Sequence, residues 1–204
     1  IYIVGKFYNE TLGITQIYIA KYDENGSSIW NRTWGTSGTS TGEGIIVYNN
    51  QYLYIVGTTN SSGFTNDIIL LKYGLDGSYY SNQIFDSGVD DEAKGITIDS
   101  SGSIYITGKN SSGLESDGLI LIYSQTGFLL NKYFWDKNFK DVPYDIEVDS
   151  YNNIYICGAS ISSDLSSASF IYKFTSTGTL IWESYINDTW NVIGSDMNII
   201  EYMI

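Results

Sequence analysis

The chain has 204 residues, a net charge of −13, no histidine, and ten Lys and Arg together, scattered singly from Lys6 to Lys173. It therefore lacks the clustered basic face that nucleic acid or an anionic lipid surface demands, and neither partner is expected. Hydrophobic residues at 43% and aromatics at 16%, with 21 Gly and a single Pro, favour an all-β core joined by tight turns over disordered linkers.

Ile1-Tyr2-Ile3-Val4-Gly5 opens the chain as a strand already under way, so a leader or earlier repeats are expected before it. A turn follows at Asp23-Glu24-Asn25-Gly26, and eight residues past its glycine stands Trp34. The second repeat predicts strands at Tyr52–Gly57, Asp67–Tyr73, Tyr79–Phe85 and Lys94–Asp99, each bounded by Gly, Asn, Asp or Ser. Its turn is Gly74-Leu75-Asp76-Gly77, and Phe85 holds the place of Trp34. Ile68-Ile69-Leu70-Leu71 is apolar at consecutive positions, the pattern of a sheet covered on both faces. The third repeat brings Ile104-Tyr105-Ile106-Thr107-Gly108, a turn at Ser124-Gln125-Thr126-Gly127, and Trp135. In the fourth, Ile154-Tyr155-Ile156-Cys157-Gly158 is followed by Thr175-Ser176-Thr177-Gly178 and Ile186. Cys157 is the sole cysteine, which rules out an internal disulfide and reads as a small buried apolar residue.

Between these runs, Asp99-Ser100-Ser101-Gly102 and Asp149-Ser150-Tyr151-Asn152-Asn153 read as tight hairpins. Longer polar loops are expected at Thr58–Asn66 and Lys109–Asp117, gathered on one face. The longest apolar runs are about five residues, too short to span a membrane.

Repeat starts near 1, 53, 104 and 154 and turn glycines at 26, 77, 127 and 178 keep one register of about 50 residues. Four short strands per period point to a β-propeller within a single domain over 1–204, each repeat a four-stranded antiparallel blade. A parallel β-helix, with its usually shorter period, is the second choice. Four blades make a small ring, so a piece of a larger, six- to eight-bladed propeller, or a dimer completing the ring, is expected.

The stretch from Asp90-Asp91 through Gly95-Ile96-Thr97-Ile98-Asp99, the Ser100-Ser101-Gly102 turn and Ile104-Tyr105-Ile106-Thr107-Gly108 resembles the bacterial and archaeal β-propeller repeat family abbreviated SBBP. Ile17–Trp30 and Phe170–Trp182 echo the later part of that repeat. The first repeat departs from it with Tyr48-Asn49-Asn50 in place of the acidic turn residue, and Ser81 and Asn131 stand where Trp30 and Trp182 set the pattern. Only a trace of the repeat survives in Gly194–Ile204. The resemblance implies a propeller fold and an extracellular or cell-surface location, without a shared activity.

Without histidine, neither a Ser-His-Asp triad nor histidine acid–base chemistry can be built, although Ser-Lys arrangements remain formally open. Asp90 and Asp91, with Glu43, Asp141 and Asp196 at related positions, are expected to precede the innermost strand and crowd one rim of the channel. They read either as acids that cap hairpins and meet water, or as a Ca²⁺ or sugar site with Asp90, Asp91 and Asp141 as candidate ligands. No other cofactor is expected. The in-register tyrosines Tyr2, Tyr54, Tyr105 and Tyr155 read as packing between blades, whereas Tyr79, Tyr80 and Tyr133 are open to stacking on sugars. Sequons at Asn9, Asn25, Asn31, Asn60, Asn110 and Asn187 are candidate glycosylation sites on an exported protein.

These features lead to the expectation of a non-enzymatic extracellular or cell-surface module. It would be a structural scaffold, or an adhesion and recognition surface toward protein, glycan or another copy of itself. The alternative is a carbohydrate-binding or polysaccharide-acting propeller using rim carboxylates and aromatics.

Overall fold

The computed structural model describes residues 1–35, 37–60, 63, 65–136, 140–162, 166–186 and 197–199. Among these, all regular structure is β-strand, and no helix is long and apolar enough to cross a membrane. The chain divides into two compact units, Ile1–Ala93 and Lys94–Ile204.

In the first unit, β1 (Tyr2–Asn9), β2 (Ile14–Tyr22) and β3 (Ser28–Trp34) form one antiparallel sheet. A second comprises β4 (Ser40–Tyr48), β5 (Tyr52–Thr59), β6 (Asp67–Gly74) and β7 (Tyr79–Phe85), paired in chain order. Ile17 and Ile19 of β2 pack against Leu53 and Ile55 of β5 and Ile69 and Leu71 of β6, with Trp30 and Trp34 along the margin. Each such aliphatic side chain contributes about 2 kcal/mol by leaving water. The consecutive apolar run of β6 is buried on both faces, as its composition predicts.

The boundary between units falls within β8 (Asp90–Ile98), which lies beside β9 (Ile104–Ser112). In the second unit β9, β10 (Glu115–Tyr123) and β11 (Leu129–Trp135) form one meander. Another runs through β12 (Lys140–Val148), β13 (Ile154–Ile161), β14 (Ser167–Phe174) and β15 (Leu180–Ile186). Among the described residues a parallel bridge, Ser116 to Lys140, links the two meanders. Their common core joins Tyr105, Ile120 and Ile122 to Ile146, Ile154, Ile156, Phe170, Tyr172 and Phe174.

Three expectations are corrected. The glycine closing each Ile-Tyr-Ile motif does not end a strand, since β5 and β13 run past Gly57 and Gly158. Across the ladder, Gly57 faces Gly42 and Gly158 faces Pro143, and in both partner strands a β-bulge follows at once. A bulge pushes backbone toward the neighbouring strand, and glycine leaves room for it. The polar stretch 109–117 is not a long loop either: Ser112 pairs with Glu115 around a two-residue turn, and Asn110 pairs with Asp117. Polar side chains at a solvated hairpin hide the strand from a reading based on hydrophobicity, while the backbone ladder satisfies itself. Finally, the acidic residues lie inside the first strand of their sheets instead of ahead of it.

The four register turns are of one kind. Gly26, Gly77, Gly127 and Gly178 have φ of +81°, +82°, +90° and +78°, and each donates its N–H to the carbonyl three residues back. Asn49 and Asn50, with φ of 50° and 48°, form instead the two-residue left-handed turn that suits a twisted hairpin, which explains the missing acidic residue there.

Candidate functional site

Two of the predicted rim carboxylates, Asp91 and Asp141, are turned inward, whereas Asp90 is half-buried and Glu43 exposed. Asp91 and Asp141 occupy equivalent positions in β8 and β12, and both are 0% exposed. Asp141 accepts from Ser160 Oγ at 2.7 Å, tying β12 to β13, and Ser40 and Thr59 make the same tie at 2.8 Å between β4 and β5. Asp91 Oδ2 accepts from Ser87 N at 2.8 Å, and its own N–H donates to Asn66 O at 2.7 Å. Asp90 Oδ1 accepts from Asn66 N at 2.8 Å, so the pair together holds the chain before β6. A buried carboxylate is tolerable only with such donors, and these aspartates act as strand anchors.

Glu43 is exposed on β4, where it accepts from Thr41 Oγ1 at 2.9 Å. Together with Glu92, Thr39, Thr41, Thr58 and Asn66 it lines an open polar recess of about 210 Å³ in the first unit. In the second unit Asp117 is pushed above its ordinary value, first by burial and then by the charges of Asp136, Asp141 and Glu115. The spacing of the motifs gave no signal for Glu92 or Asp117, which come to these places through sheet register alone. Among the described residues no group of three or more acidic or cysteine side chains is placed to hold a metal ion. Asp196 and Asn187 lie outside the described residues.

The hairpin aspartates each accept several hydrogen bonds. Asp99 Oδ1 accepts from Ser101 N, Ser101 Oγ and Ser103 N at 2.9, 2.7 and 2.8 Å, and Oδ2 accepts from Tyr105 Oη at 3.1 Å. Asp149 repeats the design with Tyr151 N at 2.9 Å, Asn153 N at 2.7 Å and Tyr155 Oη at 3.1 Å. Burial raises the pKa of each, but the hydrogen bonds outweigh it and hold both carboxyls below the ordinary 3.8. A group with a lowered folded pKa adds stability that is full above its unfolded value and is lost as the pH falls through the folded one. Asp99→Asn is therefore expected to cost about 1–3 kcal/mol near neutrality, a melting drop on the order of 5 °C at this length. Melting curves at stepped pH check it: the gap between variant and wild type should close below 3.8, and a pH-independent gap would refute the assignment.

The in-register tyrosines divide by context. Tyr2 Oη donates to Leu75 O at 3.4 Å, reaching from the β1–β3 sheet to the β6–β7 turn, and Tyr105 lies in the core shared with β13 and β14. Tyr54 packs against Tyr48 and Tyr52 of its own sheet, and Tyr155 against Trp182. Tyr133 is no free stacking platform, because its ring lies over Gly178. Tyr79 and Tyr80 stay exposed on β7. Of the sequons, Asn25 and Asn31 are exposed, and Asn110 is half-buried in β9. The amides of Asn9 and Asn60 brace turns, accepting from Leu12 N at 3.1 Å and Thr39 N at 2.7 Å.

No match is found among curated proteins. A crystal structure of a protein of unknown function from Bacteroides caccae is similar over 93% of this chain and 81% of its own, at 8% identity and a TM-score of 0.49. The SBBP β-propeller repeat matches residues 80–114. That stretch holds the acidic pair, the Asp99 hairpin and the Ile-Tyr-Ile strand, so residues 80–114 of these all-β antiparallel sheets are similar to the SBBP β-propeller repeat.

Proposed function

We propose that the chain is a four-blade portion of a β-propeller that works outside the cell or on its surface. In this reading it is a non-enzymatic scaffold whose edge strands and loops bind protein or glycan. The observation that supports it is the placement of exposed apolar side chains. Three strands that end a meander carry such side chains, Tyr79, Tyr80 and Ile84 on β7, Leu129, Leu130 and Phe134 on β11, and Leu180, Ile181 and Trp182 on β15, and β1 adds Ile3, Phe7 and Tyr8. Contiguous exposed apolar surface on a well-buried frame is the usual mark of an interaction surface. A second reading, a propeller that binds or acts on polysaccharide, draws on the recess with Glu43 and Glu92.

The test is binding of the purified chain to immobilised extracellular proteins and polysaccharides. The variant Tyr79→Ser with Tyr80→Ser, at unchanged melting temperature, is expected to weaken the interaction about tenfold or more, the cost of losing interfacial aromatics. Binding indifferent to the β7 and β11 edges removes the scaffold reading. Release of reducing ends from a polysaccharide, lost in Glu43→Gln, establishes the second reading in its place.

A further inference from the structure

Of the four register turns, the first alone places an asparagine before its glycine, and Asn25-Gly26 is the one Asn-Gly pair in the chain. An asparagine carboxamide is a latent electrophile for the backbone nitrogen that follows it. A side chain on the next residue hinders their approach, and glycine has none. Both groups are lightly held here. The Asn25 side chain makes no hydrogen bond among the described residues, where only its backbone N–H is engaged. The Gly26 N–H reaches the Asp23 carbonyl at 3.2 Å, against 3.0, 2.9 and 2.9 Å for Gly77, Gly127 and Gly178 in the sister turns.

Asn25 is exposed, and that does not hinge on what packs over the turn glycine. Trp30 lies over Gly77 and Tyr133 over Gly178, yet Asp76 and Thr177, which precede them, are exposed just as Asn25 is. The second turn carries the related pair Asp76-Gly77, but its acid is withdrawn from such chemistry. Ser78 N and Ser78 Oγ donate to the Asp76 carboxylate at 3.0 and 2.9 Å and keep it ionised, and a carboxylate is a poor electrophile. What restrains the first turn is Asp23. Its Oδ1 accepts from Asn25 N at 2.9 Å and from Ser27 N at 2.8 Å, fixing the main chain on both sides of Gly26.

We propose that Asn25 is a site of spontaneous modification, converting through a cyclic imide into aspartate and isoaspartate, with the Asp23 clamp setting the pace. Hydroxide takes the Gly26 amide proton, and the nitrogen attacks Asn25 Cγ. The new N–C bond closes the imide as the bond from Cγ to the amide nitrogen breaks, and that nitrogen leaves as ammonia. Water then opens the imide at either carbonyl. One opening yields aspartate, and the other routes the main chain through the side-chain carbon as isoaspartate. Water is consumed and ammonia released, with no oxidant, reductant or enzyme. Either product adds a negative charge beside Asp23 and Glu24. The isoaspartyl form also lengthens the main chain of a turn closed by Asp23 N donating to Ser27 O at 3.0 Å. The β2–β3 hairpin thus records the age of the molecule, whatever the exposed strands bind.

Peptide mass spectrometry of the full chain, made without N-glycans and held in warm, mildly alkaline buffer, tests it. Trypsin releases residues 22–32, which carry Asn25 and Asn31 together. The mass gain of an NH2-to-OH exchange should accumulate with first-order kinetics at Asn25 and not at Asn31. Isoaspartyl methyltransferase should label the same peptide. Asn25→Gln should abolish the gain. Gly26→Ala, whose Cβ crowds the attacking nitrogen, should slow it by about tenfold or more, the rate change that ~1.4 kcal/mol of barrier gives. Asp23→Ala releases the clamp and should speed it several-fold, toward the rate of the urea-unfolded chain. The variants alter a surface turn and should melt within a few degrees of wild type. An Asn25 that stays intact in the folded protein while it converts in the unfolded chain overturns the proposal, as does equal conversion at Asn31. A rate that Asp23→Ala leaves unchanged refutes the clamp.

Discussion

Gly158→Ala is expected to lower the melting temperature by on the order of 10 °C, while Gly5→Ala leaves it unchanged or raises it slightly, although both glycines close the same Ile-Tyr-Ile motif. A Cβ on Gly158 would run into Val142 O and stand 2.5 Å from Phe170 Cζ and 2.8 Å from Pro143 Cα. Two of these three are backbone atoms of β12, fixed by the bulge between Pro143 and Asp145, and they cannot rotate aside as a side-chain tip can. Overpacking against a fixed backbone costs about 3 kcal/mol or more. Gly57 meets the same obstacle in Thr41 O beside the Gly42–Gly44 bulge, and its alanine variant should behave alike. At Gly5 nothing described lies within 4 Å of the added methyl. There alanine only narrows the freedom of the unfolded chain, a gain of roughly 0.5–1 kcal/mol. Thermal unfolding of the three variants decides it, and equal melting temperatures for Gly5→Ala and Gly158→Ala would show that the bulges yield freely.

The pair of glycines also marks how far the sequence could be read. Repeat period, strand identity and turn positions were legible because they depend on local chemistry: apolar runs, turn glycines and Asp-led hairpins. The Asp99 and Asp149 loops fold as their residues dictate, and at the shared register position Trp34 and Trp135 pack against the cores and Phe85 is buried, whereas Ile186 is 51% exposed. What was not legible depends on the partner strand. A glycine facing a bulge looks the same as a glycine ending a strand. Asp91 and Asp141 look like surface acids until the partner strand or loop brings them Ser87 and Ser160 as donors. The polar hairpin of Asn110 to Asp117 looks like a loop because its stability lies in backbone pairing that no side chain reports. Glu43 and Glu92, nearly a full repeat apart, come to one recess for the same non-local reason.

Trp135→Ala should destabilise the second unit by about 2–3 kcal/mol, below the loss at a fully buried aromatic because the indole is half-buried against the margin of the core. The indole of β11 is the wedge between the two meanders. Its ring centroid is 6.4, 6.0 and 5.9 Å from those of Phe170, Tyr172 and Phe174 on β14, with edge-to-face geometry toward the first two. Room for it is made by Gly118, its cross-strand partner on β10, where any Cβ would fall within the ring. Gly118→Ala must therefore evict the indole and reproduce much of the Trp135→Ala loss. The two changes together should cost far less than their sum, because they damage one contact. Trp135→Phe separates packing from polarity. The Nε1–H is buried without a hydrogen-bond partner among the described residues, so losing it removes a desolvation cost of about 1–3 kcal/mol. That gain offsets much of the lost ring area, and the phenylalanine variant should melt close to wild type. Chemical denaturation of the four variants gives the cycle: additive losses for Gly118→Ala and Trp135→Ala would mean that the indole does not rest on Gly118, and a Trp135→Phe loss as large as that of alanine would mean that the Nε1–H is satisfied after all.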